Sequence, residues 1–195
     1  DHNEDFNLKK LDNFLAKNIL KIEKILKNFV KDVYIILDDK EFLPIEISIK
    51  KDHNGNSISQ ENLINPLNVL KNLCQFSFKD KKIIHMLIEN YQIDGKDYSF
   101  LPENLKCNNF SLDIKFICLS KNLIEHYESV LKRYHILVNQ ILNAEYIEQF
   151  QDQQNPNIYT TASRIISGFN NNEISLVNKT LKSKGFFEKF FDFFS

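Results

Sequence analysis

The sequence is poor in glycine. Its four glycines, Gly55, Gly95, Gly168 and Gly185, lie far apart. A phosphate cradle needs backbone N–H groups clustered in one loop, so no two of these glycines can cooperate in one. Arginine is nearly absent, with Arg133 and Arg164 the only exceptions among mostly lysine cations, and the net charge is −1. That balance lacks the concentrated basic surface a nucleic-acid partner requires, so no nucleic acid is expected. No apolar run reaches the roughly 20 residues that span a bilayer, and no secretory h-region opens the chain. Three cysteines, Cys74, Cys107 and Cys118, are widely spaced beside apolar residues. An odd, scattered set reads as buried reduced thiols of a cytosolic protein. The first residue is Asp1 rather than Met, so the chain reads as beginning inside a larger gene product.

The 195 residues, 43% of them hydrophobic, suit one or two domains with a sizeable core. Residues 8–30 carry Leu8, Leu11, Leu15, Ile19, Ile22, Leu26 and Phe29 at spacings of three and four, which predicts an amphipathic helix. "DVYIILDD" (32–39) and "FLPIEISIK" (42–50) read as strands, with Pro44 marking an edge or a bulge. A loop over 51–59 turns at Asn54-Gly55, and a helix over 59–75 starts or kinks at Pro66. A long strand, 81–94, ends at Asp94-Gly95; an irregular stretch, 96–110, follows. A strand at 111–120, a helix at 121–134 and a last strand at 135–142 complete the order α-β-β-α-β-β-α-β. That order predicts an α+β fold with helices on one face of a mostly antiparallel sheet. After Phe150 come a polar spacer (151–157), a short helical piece (158–169) and a polar stretch (170–184) that reads as a flexible tether.

The chain closes on "GFFEKFFDFFS". At 100° per residue, Phe186, Phe187, Phe190, Phe191, Phe193 and Phe194 fall within an arc of about 160°, with Glu188, Lys189, Asp192 and Ser195 in the remainder. Burying six phenylalanines at ~25 cal/mol/Å² sets a ceiling of roughly 15 kcal/mol, which helix ordering and partial insertion reduce heavily. Lys179, Lys182 and Lys184 precede them, where anionic headgroups attract cations. The expectation is a reversible amphipathic membrane anchor whose binding groups are the six phenylalanines with Lys182 and Lys184.

Other constellations read as structure. Asp52, Asn54 and Asn56 resemble the first ligands of a calcium loop, but Ser57 replaces the required glycine and Glu61 falls short of the bidentate position, so a plain turn is expected. His85, His126 and His135 with Cys118 lack zinc spacing. His85 alternates with apolar neighbours and reads as a packed core residue. Glu125 and Glu128 read as solvated charges on the 121–134 helix. No Ser/His/Asp arrangement can be assembled. No catalytic, cofactor-binding or metal residue is therefore assigned.

Two segments carry a family resemblance. "IIHMLIENYQID" (83–94) is similar to the strand "h-x-V-L-H-h-h-P-x-x-Y-x-I-D" of the insertion domain of FtsA, the actin-like bacterial cell-division protein. "LDIKFICLS" (112–120), the helix at 121–134 and "YHILVNQIL" (134–142) follow in that domain's order, and the opening helix with "DVYIILDD" looks like the lead into it. "NPNIYTTASRIISG" (155–168) resembles the family's last core helix, which reads "P-x-Y-T-T-A-x-G-L". The family then runs through a linker to an amphipathic membrane-targeting helix.

The resemblance implies three regions: an insertion domain with its leading helix (1–150), a remnant core helix and flexible linker (151–182), and a membrane-targeting helix (183–195). It implies an adaptor on the cytoplasmic face of the inner membrane at the division site. The implied partners are membrane lipid, FtsZ, later division proteins and a second copy through self-association. The intact family binds ATP between Gly-rich loops on both sides of the insertion domain. Those loops, and the core that carries the FtsZ-binding surface, have no counterpart here. The chain therefore reads as a fragment or an internally deleted product that neither binds nor hydrolyses ATP. The competing reading is a soluble α+β interaction domain whose aromatic tail docks on itself or in a partner groove. An enzyme would need a convergent polar pocket.

Overall fold

The computed structural model describes residues 2–154 and 156–176. The chain opens with helix α1, His2–Leu26, followed by strands β1, Asp32–Leu37, and β2, Leu43–Asp52. A 3-10 turn at Gln60–Leu63 leads into helix α2, Ile64–Ser77. Strand β3, Lys81–Ile93, is followed by the short β4, Lys96–Tyr98, and by β5, Asn109–Ser120. Helix α3, Lys121–Lys132, strand β6, Leu137–Asn143, and helices α4, Ala144–Glu148, and α5, Ile158–Ile166, complete the order.

The result is the expected α+β fold. Four strands form an antiparallel sheet in the order β2-β5-β3-β4. Pro44 sits in β2, an edge strand, where a missing N–H costs no ladder bond. The remaining strands, β1 and β6, pair in parallel as a separate two-stranded sheet. β6 therefore joins β1, about a hundred residues earlier, rather than its sequence neighbour β5.

β5 shows how one strand serves two environments. Phe110, Leu112, Ile114, Phe116 and Cys118 all point to one face and meet Leu67, Leu70 and Cys74 of α2. The opposite face is polar over Ser111, Asp113 and Lys115, then buried over Ile117 and Leu119. Asp113 accepts hydrogen bonds from Ser48 Oγ (2.6 Å) and Asn90 Nδ2 (3.2 Å) on the polar stretch. Where that face is apolar it meets a second layer: Ile84 and Leu119 pack with Leu123, Ile124 and Tyr127 of α3, and Leu87 and Ile117 pack with Tyr146, Ile147 and Ile165. β3 lies between the two layers, and Ile83 through Ile88 are buried without alternation.

α1 differs from its expected span of 8–30. It ends where Lys27 takes a left-handed conformation (φ 53°), and Glu23 Oε1 accepts the Val30 N–H at 3.1 Å. Leu8, Leu11, Leu15 and Ile19 pack on the α3 side of the domain. Leu20, Ile25 and Leu26, with Phe29 beyond the helix, stay exposed.

The stretch 170–176, read as part of a tether, is docked. Leu87 and Glu173 form an antiparallel bridge. Ile88 N–H donates to Asn172 O (2.9 Å), Ile174 N–H donates to Met86 O (2.8 Å), and Ile174 is buried. The free edge of β3 beyond the short β4 offers unpaired backbone groups, and a polar segment with one buried isoleucine satisfies them.

Candidate functional site

His85 anchors the most connected polar cluster in the core. It lies on β3, fully buried, and its ring packs at a tilt of 49° against that of Tyr146 on α4, with centroids 4.5 Å apart. A histidine in such a place must find partners for both ring nitrogens. Its Nδ1–H donates to Glu173 Oε1 at 2.7 Å. Its Nε2 accepts the Asn143 backbone N–H at 3.1 Å. A backbone amide can only donate, so it fixes the tautomer: the proton sits on Nδ1 and the lone pair on Nε2.

Glu173 holds a second partner. Tyr146 Oη donates to Glu173 Oε2 at 2.7 Å, and Asn170 Nδ2 donates to Tyr146 Oη at 3.0 Å. Burial, then the charge of Glu173, raises the Tyr146 phenol far above its ordinary pKa. Asn170 Oδ1 accepts from Asn172 N (3.0 Å), Asn172 Oδ1 accepts from Tyr91 Oη (3.3 Å), and Asn172 Nδ2 donates to Ser99 O (2.9 Å). Asn143 also caps α4 through Oδ1, which accepts Tyr146 N at 2.7 Å. The cluster ties β3, the β6–α4 junction, α4 and the 170–174 segment together.

The pairing of a histidine with a carboxylate is the arrangement that orients a general base. Here the second nitrogen, which would take a proton from a nucleophile, faces a backbone N–H instead. The geometry makes a clasp. Its members Glu173, Tyr146, Asn143 and Asn170 have no motif spacing in sequence. The one signal was His85 itself, a polar side chain in an apolar strand, which requires buried partners.

The other candidates separate. Residues 52–57 form a turn in which Asn54 and Gly55 take φ of 53° and 76° and Gly55 N–H donates to Cys107 O. Glu125, Glu128, His126 and His135 are exposed. All three cysteines are buried and free. Cys74 and Cys118 sulfurs lie 3.9 Å apart, and burial beside Cys74 pushes the Cys118 thiol up to about 12. Among the described residues, no group of three His, Cys, Asp or Glu side chains converges as a metal ion would need. The membrane-binding set, Lys182, Lys184, Phe186, Phe187, Phe190, Phe191, Phe193 and Phe194, lies outside the described residues.

No protein-family model matches the chain, and neither does any curated protein. The resemblance to FtsA insertion domains rests on the sequence motifs alone.

Proposed function

We propose that this chain is an adaptor of the FtsA cell-division type, acting by binding. Residues 183–195 hold it to the cytoplasmic face of the bacterial inner membrane at the division site, and the α+β domain engages division proteins. The observation that carries this reading is the segregation of six phenylalanines onto one helical face of the last residues. The element order of residues 83–142 supports the family resemblance, since a long strand, the short β4, a second long strand, a helix and a further strand follow one another over the matching segments. FtsZ and later division proteins are the partners the family supplies; FtsZ binding needs a core surface that these residues lack.

Flotation with liposomes tests the anchor. The full chain should float with vesicles, and the variant carrying Phe190→Asp and Phe194→Asp should stay at the bottom. Equal flotation of the two would refute an anchor driven by apolar burial.

A second reading has its own support. Val69, Leu73 and Phe76 form an exposed stripe on α2, and Leu20, Ile25 and Leu26 are exposed at different sides of the end of α1. Such faces suit a soluble interaction domain whose aromatic end docks on itself or in a partner groove. Protection of residues 183–195 from protease without lipid would favour it.

A further inference from the structure

A groove of about 470 Å³ opens between α2, the start of β3, the start of α3 and the free edge of β6. Among the described residues, Lys81, Lys82 and Lys121 line it together with Lys71, and Glu128 is the carboxylate. Such a gathering of lysines is local, since the chain as a whole has a net charge of −1. Lys121 Nζ donates to Lys79 O at 2.7 Å, which holds the ammonium at the rim. Lys81 lies 3.8 Å from Asp80 in an exposed contact too loose to cancel it. Between the lysines the walls are apolar, formed by Ile83, Ile84 and Ile124 among others.

Leu176 also lines this groove. The docked 170–176 segment thus delivers the chain to the groove. From there residues 177–182 can span at most about 20 Å, at ~3.4 Å per residue, before the segment 183–195 begins, and the first phenylalanine, Phe186, follows three residues later. A cationic slot with apolar walls, six residues along the chain from the segment 183–195, has the composition of a headgroup site.

We propose that this groove binds a phosphate monoester, and that its source is the headgroup of an anionic lipid. The lysines would bind the phosphate oxygens, while the apolar walls accept the glycerol end. Only the lipid source rests on the adaptor reading; the phosphate chemistry stands on the groove alone.

The test uses the full chain throughout. Glycerol 3-phosphate and inorganic phosphate are titrated separately into the chain carrying Phe190→Asp and Phe194→Asp, with amide shifts read by two-dimensional NMR. Shifts at Lys82, Lys121 and their neighbours are expected, and their absence with both probes would overturn the proposal. Vesicles of phosphatidylcholine with about 30% phosphatidic acid then compare otherwise unaltered chains. Lys82→Gln with Lys121→Gln should weaken binding about thirtyfold, at about fivefold per lysine. Lys50→Gln with Lys51→Gln, an exposed pair on β2, should leave it nearly unchanged. Equal losses from the two pairs would overturn the site in favour of diffuse charge attraction. Amide shifts without a vesicle effect of the groove pair would refute the lipid source and assign the groove to a soluble phosphate. If the unaltered chain fails to float yet phosphate still shifts the groove, the adaptor reading fails and the groove stands.

Discussion

Replacing Glu173 by alanine removes one side chain and strands two donors. His85 Nδ1–H, on a fully buried ring, and Tyr146 Oη–H both donate to Glu173 at 2.7 Å. An unsatisfied buried donor costs about 1–3 kcal/mol, so two would cost roughly 2–6 kcal/mol. The Glu173 side chain is 15% exposed, which lets water reach part of the vacated space and places the loss in the lower half, about 2–4 kcal/mol. Urea unfolding should read this as a lower midpoint at similar slope. Tyr146→Phe deletes one of the stranded donors, so the double variant should lose clearly less than the sum of the singles, and the cycle should return a coupling of about 1–2 kcal/mol. Native-state hydrogen exchange should find the Ile174 amide, bonded to Met86 O, exchanging faster in the alanine variant. A midpoint within experimental error of the unaltered chain, with Ile174 protection unchanged, would refute the clasp.

Two further outcomes follow from buried and strained groups. Burial raises the Tyr91 phenol from 10.0 to about 12 and raises Tyr146 as well, so the folded chain holds protons that the unfolded chain releases first; this stability, about 3 kcal/mol for Tyr91, is complete below pH 10 and is lost as pH climbs toward 12, which alkaline unfolding followed by tyrosinate absorbance near 295 nm would show. Gly95 takes φ +82° with open space around its missing Cβ, so Gly95→Ala should cost about 1 kcal/mol through backbone strain alone, and an unchanged thermal midpoint would contradict that cause.

Much of the fold was legible because its signals are local. β-branched runs placed the long strands to within a few residues, and Asp94-Gly95 announced the end of β3, where both residues have positive φ, though the short β4 at Lys96–Tyr98 falls in a stretch read as irregular. Asp94 does more than its turn position implied, since its carboxylate accepts the Asn108 and Asn109 amides that start β5. Phe29 shows a local signal failing: it continued the heptad-like spacing of α1, but Lys27 leaves the helix without a glycine to mark it. What the sequence concealed depends on tertiary pairing. β6 joins β1 in parallel, and no periodicity in either strand names its partner. Residues 170–176 looked like a tether because Asn170, Asn171, Asn172 and Glu173 are polar. Their hydrogen bonds go to a β3 edge more than eighty residues away, and the carboxylate finds a histidine that composition cannot reveal. The lysine groove was hidden for the same reason, with contributions from two helices and a strand start.

The clasp has a mechanical consequence for the end of the chain. Were the chain undocked from residue 170, the contour to residue 182 would be about 45 Å; with 170–176 docked, the contour from 177 to 182 is at most about 20 Å. A shorter leash raises the effective concentration of one end at the other, by a power of about 3/2 in length, or roughly threefold here. The factor is modest in energy, below 1 kcal/mol, and in the proposed adaptor it would act on each encounter between the domain and the membrane. Leu176, the last described residue, lies on the groove that holds the lysines. A tail lodged in a bilayer would therefore hold that groove close to the headgroups. His85 and Glu173, which make no contact with lipid in this scheme, determine where that leash begins.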